Sequence, residues 1–164
     1  RKLGLKGGQY FMNYIFSVNK FMKENKKKYD ELLEVMEAVD ASKNVLAKTA
    51  MKFGIMAKKD LEGALQWAVP FLKMFGHVAL GFEFAKQAVI AKEKLAAIIA
   101  EKGADTEEAV KTLIQESADA SFYNGKILQA KFFTAVVLPE VEALKTSILS
   151  KDRSCLEFNF KVDV

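Results

Sequence analysis

The segment Phe122–Leu144, which reads FYNGKILQAKFFTAVVLPEVEAL, constrains the fold more than any other part of the chain. Its apolar residues recur at steps of three and four, which places them on one face of a helix. That face comprises Phe122, Gly125, Leu128, Phe132 and Val136. A glycine lowers helix propensity by about 1 kcal/mol relative to alanine, so Gly125 indicates close approach by a neighbouring helix. We expect this face to be buried against other helices, and the helix to be disrupted at Pro139.

The composition favours a helical, globular protein. Of the 164 residues, 51% are hydrophobic and 28% are charged, and only two are proline. No apolar run approaches the roughly 20 residues that span a bilayer, so no transmembrane segment is predicted. A secretory signal with a cleavage site is also missing. Together with the single cysteine, Cys155, this leads us to expect a cytoplasmic location.

The charge pattern argues against a nucleic-acid partner. The formal net charge is +4, and Lys26–Lys28 forms the only dense basic run. The chain has two arginines, and no aromatic residues alternate with them as single-strand binding requires. The lysine run is typical of a solvated helix end, where cations complement the helix dipole. A contact with phosphate or an anionic lipid is the alternative interpretation.

The periodicity predicts an all-α fold, an up-and-down four-helix bundle with long helices. The first helix spans about 9–25, and the second starts near Asp30 as a possible N-cap and ends between Gly54 and Lys59. The third runs to Gly103, with a kink near Gln66–Val69 because of Pro70. The fourth runs from about 106 to 149 and is capped by Asp105.

Two of these helices have clear predicted core stripes. In the second helix they are Leu32, Met36, Val39, Leu46, Ala50 and Phe53. In the third they are Leu61, Leu65, Ala68, Leu72, Phe75, Ala79, Phe82 and Val89, which keep a seven-residue repeat. Phe75 and Phe82 should pack with the face on the last helix. Gly76 and Gly81 indicate where another helix packs closely.

The last residues change pattern. From Leu156 to Val164 apolar and polar residues alternate strictly, which predicts an extended strand. A lone strand has no sheet partner in a helical bundle, so its backbone groups need another partner. It either lies in a groove between helices or pairs with the same tail of a second subunit, and we prefer the second arrangement. We also expect Tyr10, Phe11, Tyr14, Phe16 and Phe21 on the first helix to form an exposed aromatic cluster, which predicts a homo-oligomer.

No self-sufficient active site is predicted. His77 is the only histidine and has no carboxylate at helical contact spacing, since Glu83 lies six residues away. Cys155 has no histidine near it in sequence. One histidine also excludes a di-iron bundle, and no phosphate loop or dinucleotide motif occurs. We therefore assign no catalytic, cofactor-binding or metal-binding residue.

Three segments resemble one known family. Arg1–Leu3 followed by Gly7-Gly8 resembles the segment after the flavin-contacting glycine turn of acyl-CoA dehydrogenases. The stretch 68–79, AVPFLKMFGHVA, is similar to an element of a C-terminal extension in their larger, bacterial-type branch. Phe122–Lys126, with Ala130–Phe133 and Leu138-Pro139, resembles the close of that extension, the acetyl-CoA-dehydrogenase C-terminal-like domain.

The resemblance implies that a full-length relative binds FAD and oxidises an acyl-CoA substrate to the 2-enoyl-CoA. The family's catalytic carboxylate and most flavin contacts precede the glycine turn, so neither Glu83 nor Glu116 inherits the role of base. Residues 1–57 would be the last helices of the dehydrogenase bundle, 58–150 an added helical hairpin and 151–164 an extended tail. The expected partner is an upstream flavin domain of the same polypeptide. Because the chain begins Arg-Lys-Leu, we expect a processed protein or a fragment.

A competing hypothesis comes from another class of protein. The chain would then be an independent helical interaction module, for example a peripheral membrane or lipid-handling bundle that uses Lys26–Lys28. An open reading frame for a flavin domain upstream of Arg1 would favour the dehydrogenase, and a start codon just before Arg1 would favour the module.

Overall fold

The computed structural model describes residues 2–157, and these residues form helices without a β-strand. The all-α prediction is therefore confirmed for this part of the chain. The α-helices are α1 Gln9–Asn25, α2 Leu33–Lys59, α3 Leu61–Leu65, α4 Ala68–Lys102, α5 Glu107–Glu116, α6 Ala118–Phe132 and α7 Glu140–Ile148. Lys2–Gly8, Asp30–Leu32 and Ser154–Leu156 are 3-10 segments, and Phe133–Val137 is a π-helical turn.

The packing order is consistent with a four-helix bundle. Helix α2 contacts α1, α4 and α7, and α4 also contacts α6 and α7. Rings on α1 reach α4 directly, since Phe21 and Phe82 meet edge to face with centroids 5.4 Å apart. The α6–α7 segment thus completes a bundle whose other members are α1, α2 and α4.

The predicted kink lies where Pro70 requires it. Helix α3 ends at Leu65 and α4 begins at Ala68, so Pro70 falls in the first turn of α4. The first four amides of a helix have no intrahelical acceptor, and a proline there removes no hydrogen bond. The third helix was predicted to end at Gly103, and there α4 ends: Gly103 has φ of 64° and donates its N–H to the Ala100 carbonyl, as in a left-handed C-terminal cap.

Side-chain caps start three of the helices. Asp60 accepts a hydrogen bond from the amide N–H of Gly63 at 3.0 Å and so caps α3. The predicted cap at Asp105 is wrong by one residue, because Thr106 Oγ1 accepts the Ala109 amide at 3.1 Å. Asp30 caps nothing with its side chain and instead opens the 3-10 turn before α2.

The predicted single helix over 106–149 is interrupted twice. Ser117 is extended (φ −101°, ψ 119°), and its Oγ accepts the Ala120 amide at 3.3 Å to start α6. The second interruption is the π-helical turn, in which the Leu138 N–H donates to the Phe133 carbonyl at 2.9 Å. Pro139 has no N–H, and its ring would clash with the carbonyl four residues earlier in a regular α-helix. The wider turn accommodates the proline that the sequence analysis singled out.

The core stripe of α2 is close to the prediction, whereas that of α4 is shifted. Leu32, Met36, Val39, Leu46 and Ala50 are buried and Phe53 is half-buried. On α4 the buried residues run from Phe71 through Met74, Val78 and Phe82, while Leu72 is 69% exposed. Leu61 and Leu65 on α3 are exposed as well. The predicted stripe was wrong before Phe75 because the chain turns at Gln66–Trp67, and because α4 carries apolar residues on both sides.

The predicted buried face of the last helix is exposed. Phe122, Leu128, Phe132 and Val136 retain 55–63% of their accessible surface. The opposite side of the segment is buried instead, through Ala120, Ile127, Ala130 and Thr134. Small side chains let helices lie close together, and Gly81 on α4 allows the same approach: a Cβ there would lie 3.3 Å from Leu138. The expectation of a close contact is confirmed for Gly81 and wrong for Gly76 and Gly125, where a Cβ would meet nothing within 4 Å in the part of the chain that the structure describes.

One lysine is buried between α1 and α2. Lys43 is 4% exposed, and its Nζ donates to Asp40 Oδ1 at 2.7 Å and to Asn19 Oδ1. A buried ammonium is tolerated only with such partners. The contact with Asn19 fastens α1 to α2 by a polar link within an otherwise apolar core.

The tail prediction lies largely outside the described residues. Phe158–Val164, which make up most of the predicted strand, are not described. Leu156 is described and belongs to a 3-10 turn with Ser154 and Cys155, so the extended conformation does not begin there.

Candidate functional site

The most distinctive surface of the molecule is an exposed apolar strip on α6. We call Phe122, Gly125, Leu128, Phe132 and Val136 the α6 face. A groove of about 450 Å³ runs beside it, lined by Phe84, Gly125, Leu128, Gln129, Phe132 and Phe133. The floor is rigid, because the rings of Phe84 and Phe133 are in contact with centroids 4.9 Å apart.

The helix that carries the α6 face is held in place by buried residues on its opposite side. Ala130 and Ile127 are buried, and Thr134 Oγ1 donates to the Ala130 carbonyl at 2.9 Å. On α4, Leu80 is 51% exposed and lies one turn from Phe84, so the apolar surface continues onto that helix. Large contiguous apolar surfaces of this kind mark interaction sites in soluble proteins.

A second apolar surface lies where α2, α3 and α4 meet, and we call it the corner. Its exposed side chains are Met51, Ile55, Leu61, Leu65, Val69 and Leu72. It is bordered by cations, since Lys52, Lys59, Lys151 and Arg153 line a groove of about 560 Å³ that also includes Ile55 and Leu149. Arg153 in that groove is already paired with Asp60.

A third exposed group lies on α1. Tyr10, Met12 and Phe16 are 46–59% exposed, whereas Phe11, Tyr14 and Phe21 are half-buried against α4. The sequence-based prediction of an exposed aromatic cluster on α1 is therefore correct for Tyr10 and Phe16. It is wrong for the other three, because their rings pack on Phe75 and Phe82.

His77 has a carboxylate partner that local sequence spacing did not reveal. Its Nε2 lies 3.2 Å from Glu140 Oε2, although 63 residues separate the two. Lys73 Nζ is closer to the same oxygen, at 2.7 Å. The hydrogen bond and charge of Lys73, and then those of His77, hold the pKa of Glu140 below its usual value. Glu140 thus joins α4 to α7 as a structural ion pair, and its carboxylate is already balanced by an ammonium.

The other residues singled out from sequence are dispersed. Glu83 is exposed and pairs with Lys86 at 2.7 Å, and Glu116 is exposed at the end of α5. Cys155 is exposed in the 3-10 turn after α7. The structure does not bring these three together with His77 in any of the grooves described above.

The Lys26–Lys28 run is partly engaged by carboxylates. Lys28 Nζ donates to Glu93 Oε1 at 2.5 Å, and the pKa of Lys28 is raised mainly by this hydrogen bond. Lys26 lies 3.5 Å from Glu37. A shallow groove nevertheless collects Lys23, Lys26, Lys27 and Lys28.

The described residues offer neither a metal centre nor a membrane span. No three His, Cys, Asp or Glu side chains there come together as a metal centre requires. Over the same residues, none of the helices has the length and apolar character needed to cross a membrane.

Comparison with known proteins identifies the family. No curated protein matches the chain. A family model described as "Acetyl-CoA dehydrogenase C-terminal like" matches residues 14–159, which is most of the chain. The match includes α2–α7, α1 from Tyr14 onward and the whole of the α6 face. The chain therefore belongs to the acetyl-CoA dehydrogenase C-terminal-like family.

Proposed function

We propose that this chain is the C-terminal helical module of an FAD-dependent acyl-CoA dehydrogenase, and that it acts as a structural and oligomerisation element. The family match over residues 14–159 carries this proposal. The reaction of such an enzyme would be oxidation of an acyl-CoA to the 2-enoyl-CoA, with the catalytic base and FAD held by an upstream flavin domain of the same polypeptide. The finer division into 1–57, 58–150 and 151–164 belongs to the same proposal, as does a cytoplasmic location.

The chemistry of the described residues supports a structural role. Glu83 is ion-paired and Glu116 is exposed at a helix end, so neither is desolvated as a carboxylate general base is. Three buried polar atoms have no hydrogen-bond partner: Tyr14 Oη, Thr49 Oγ1 and Trp67 Nε1. None of them lines the grooves described above, so they do not form a cradle for a flavin. The residues present do not fit FAD, and we derive no step through it.

The exposed surfaces support docking to other protein. The α6 face, the corner and the α1 group expose more large apolar side chains than soluble monomers usually do. A module that packs on a flavin domain or on another subunit would cover such surfaces. The helices behind them are fixed by buried side chains, which suits a rigid scaffold.

The proposal is tested by purifying the chain and measuring flavin absorbance and acyl-CoA-dependent dye reduction. We expect neither bound flavin nor turnover. Flavin retained stoichiometrically after gel filtration would overturn the assignment of the cofactor to another domain. Reading the gene upstream of Arg1 supplies an independent test, since an open frame with a flavin domain is expected and a start codon immediately before Arg1 would contradict it.

The groove of four lysines favours one alternative, a peripheral lipid-handling bundle. Lys23, Lys26, Lys27 and Lys28 would then contact anionic headgroups. The ion pairs of Lys26 and Lys28 with Glu37 and Glu93 reduce the charge available. Flotation with phosphatidylserine vesicles tests this alternative: binding that Lys23→Glu and Lys27→Glu together abolish would support it, and absence of binding would exclude it.

A further inference from the structure

We propose that the α6 face is a two-fold symmetric interface with a second copy of this chain, in which α6 packs antiparallel on its counterpart. The inference names a partner for the structural role proposed above and rests on that role. Its test measures association alone and involves neither flavin nor acyl-CoA, so the two proposals can fail separately.

The first observation is a helix glycine that the monomer does not use. Gly125 lies in the middle of α6, where it lowers helix propensity by about 1 kcal/mol relative to alanine. Among residues 2–157, a Cβ at this position would meet nothing within 4 Å, whereas one at Gly81 would press on Leu138. Gly81 is explained by packing inside the bundle. Gly125 makes no such packing contact with the described residues. On an exposed apolar face, however, a glycine lets an external helix approach closely.

The second observation is that the α6 face is self-complementary: when two copies of α6 pack antiparallel, small residues of one copy lie opposite large residues of the other. A two-fold axis beside Leu128 and Gln129 places Gly125 of one copy opposite Phe132 of the other, twice. It also brings Phe122 close to Val136. An isologous interface requires this self-complementarity, in which a large side chain meets a small one across the axis.

The third observation is that the groove has room for the opposing side chain. It measures about 450 Å³ and is lined by Gly125, Phe84 and Phe133 among others. An apolar cavity of about 150 Å³ is enough to hold benzene, so the ring of Phe132 from the second copy fits. The residues that line the groove carry no charge, and the ammonium of Lys126 lies outside it, over the ring of Phe122 at 5.4 Å.

The area is sufficient for a stable pair. Phe122, Leu128, Phe132, Val136 and Leu80 are 51–63% exposed. A large apolar side chain covers 150–250 Å², so each leaves about 100 Å² to bury, or about 500 Å² per copy from these five alone. Two copies thus reach the roughly 1,000 Å² total of a specific interface before any flanking contact is added.

The corner is a poorer surface for the same purpose. Lys52 and Lys59 line the groove beside Ile55, and Lys151 lies in the same groove. A two-fold contact there would bring like charges together, which opposes association. The groove beside the α6 face is lined by no charged side chain, and the one cation recorded over the face itself is Lys126, whose ammonium lies over the Phe122 ring at its end. We assign the second copy to the α6 face because its groove is less charged than that of the corner.

Sedimentation equilibrium provides the first test. The chain should be a dimer, and Leu128→Glu should weaken it by about 100-fold or more, because two unpaired carboxylates would be buried near the axis. Met51→Glu is the matched control: its parent residue is 71% exposed on α2, and the variant should remain dimeric. Circular dichroism should show both variants folded. A monomeric parent at its highest soluble concentration, or a Leu128→Glu dimer as tight as the parent, would overturn the proposal.

Disulfide trapping tests the geometry of the pair. In a Cys155→Ser background, which removes the only native thiol, Gln129→Cys should cross-link to itself on mild oxidation because it lies beside the axis. Gly125→Cys and Phe132→Cys should cross-link when mixed, and Met51→Cys should not. Efficient cross-linking of Met51→Cys alone would place the interface elsewhere. A dimer lost on deletion of residues 158–164 but kept in Leu128→Glu would assign it to the tail and contradict the α6 face.

Discussion

The carboxylate of Asp60 accepts a hydrogen bond from the guanidinium of Arg153, 93 residues further along the chain. The same carboxylate caps α3 through the Gly63 amide at 3.0 Å. These bonds hold the pKa of Asp60 below its ordinary value of 3.8, the Gly63 amide contributing first and Arg153 second. One side chain therefore starts a helix and ties the segment after α7 to the α2–α3 turn.

Asp60→Asn should destabilise the chain at neutral pH and much less in acid. Asparagine is also a good N-cap, so the change chiefly removes the charge that Arg153 contacts. A depressed folded-state pKa contributes stability that is present above the unfolded-state pKa and is lost as pH falls through the folded-state value. The difference in melting temperature between parent and variant should shrink below about pH 4. Glu62→Gln, two residues away and exposed, serves as the control. An equal difference at pH 7 and pH 3 would refute the ion-pair contribution.

Two glycine-to-alanine changes should have opposite signs. A Cβ at Gly63 would collide with the Asp60 carboxylate and lie 2.8 Å from an Arg153 nitrogen, so Gly63→Ala should lower stability. Gly54 lies inside α2, and a Cβ there would meet nothing within 4 Å. Gly54→Ala should therefore raise stability by about 0.5–1 kcal/mol through helix propensity. Urea unfolding of both variants checks the pair, and stabilisation by Gly63→Ala would contradict the described cap.

Neighbouring residues on α6 should respond very differently to truncation. Ile127 is 4% exposed, and Ile127→Ala should cost about 2–5 kcal/mol through lost transfer energy and the cavity left behind. Phe132 is 63% exposed, and Phe132→Ala should cost less than about 1 kcal/mol in the isolated chain. Chemical unfolding at low protein concentration, where association does not contribute, measures both. A larger loss for Phe132 than for Ile127 would mean that the faces of α6 are reversed.

The buried phenol of Tyr14 should ionise only at strongly alkaline pH. Burial, and then the charge of Glu83, raises the pKa of Tyr14 from 10.0 to about 12. The neutral phenol favours the folded state fully below the unfolded-state pKa, and this contribution is lost as pH rises from about 10 towards 12. Tyr14→Phe should remove a late step from the ultraviolet titration and flatten the loss of stability over that range. Loss of amplitude near pH 10, with the late step retained, would show that Tyr14 ionises like an exposed tyrosine.

Sequence periodicity predicted the helical class and the α2 stripe because only one side of α2 is apolar over Leu32–Ala50. It misassigned α6 because that helix has two apolar sides, one with phenylalanines and one with alanines. The larger apolar area of the phenylalanines led to the prediction that their side is buried. In the structure the alanine side is buried, because the small side chains of Ala120 and Ala130 allow close packing on α4. The contact between His77 and Glu140 depends on how α4 and α7 align, which no local spacing encodes. The break at Ser117 was missed because a serine inside a helical pattern carries a weak signal until its capping bond is seen.

Lys43 has a consequence for the covalent chemistry of the chain. An acylating reagent attacks a free amine, and the Nζ of Lys43 is enclosed between α1 and α2 with its protons directed at Asn19 and Asp40. Surface lysines such as Lys27 and Lys52 are acylated while α1 and α2 remain packed together. Lys43 becomes nucleophilic only when α1 separates from α2, so its rate of acylation measures how often that pair of helices opens.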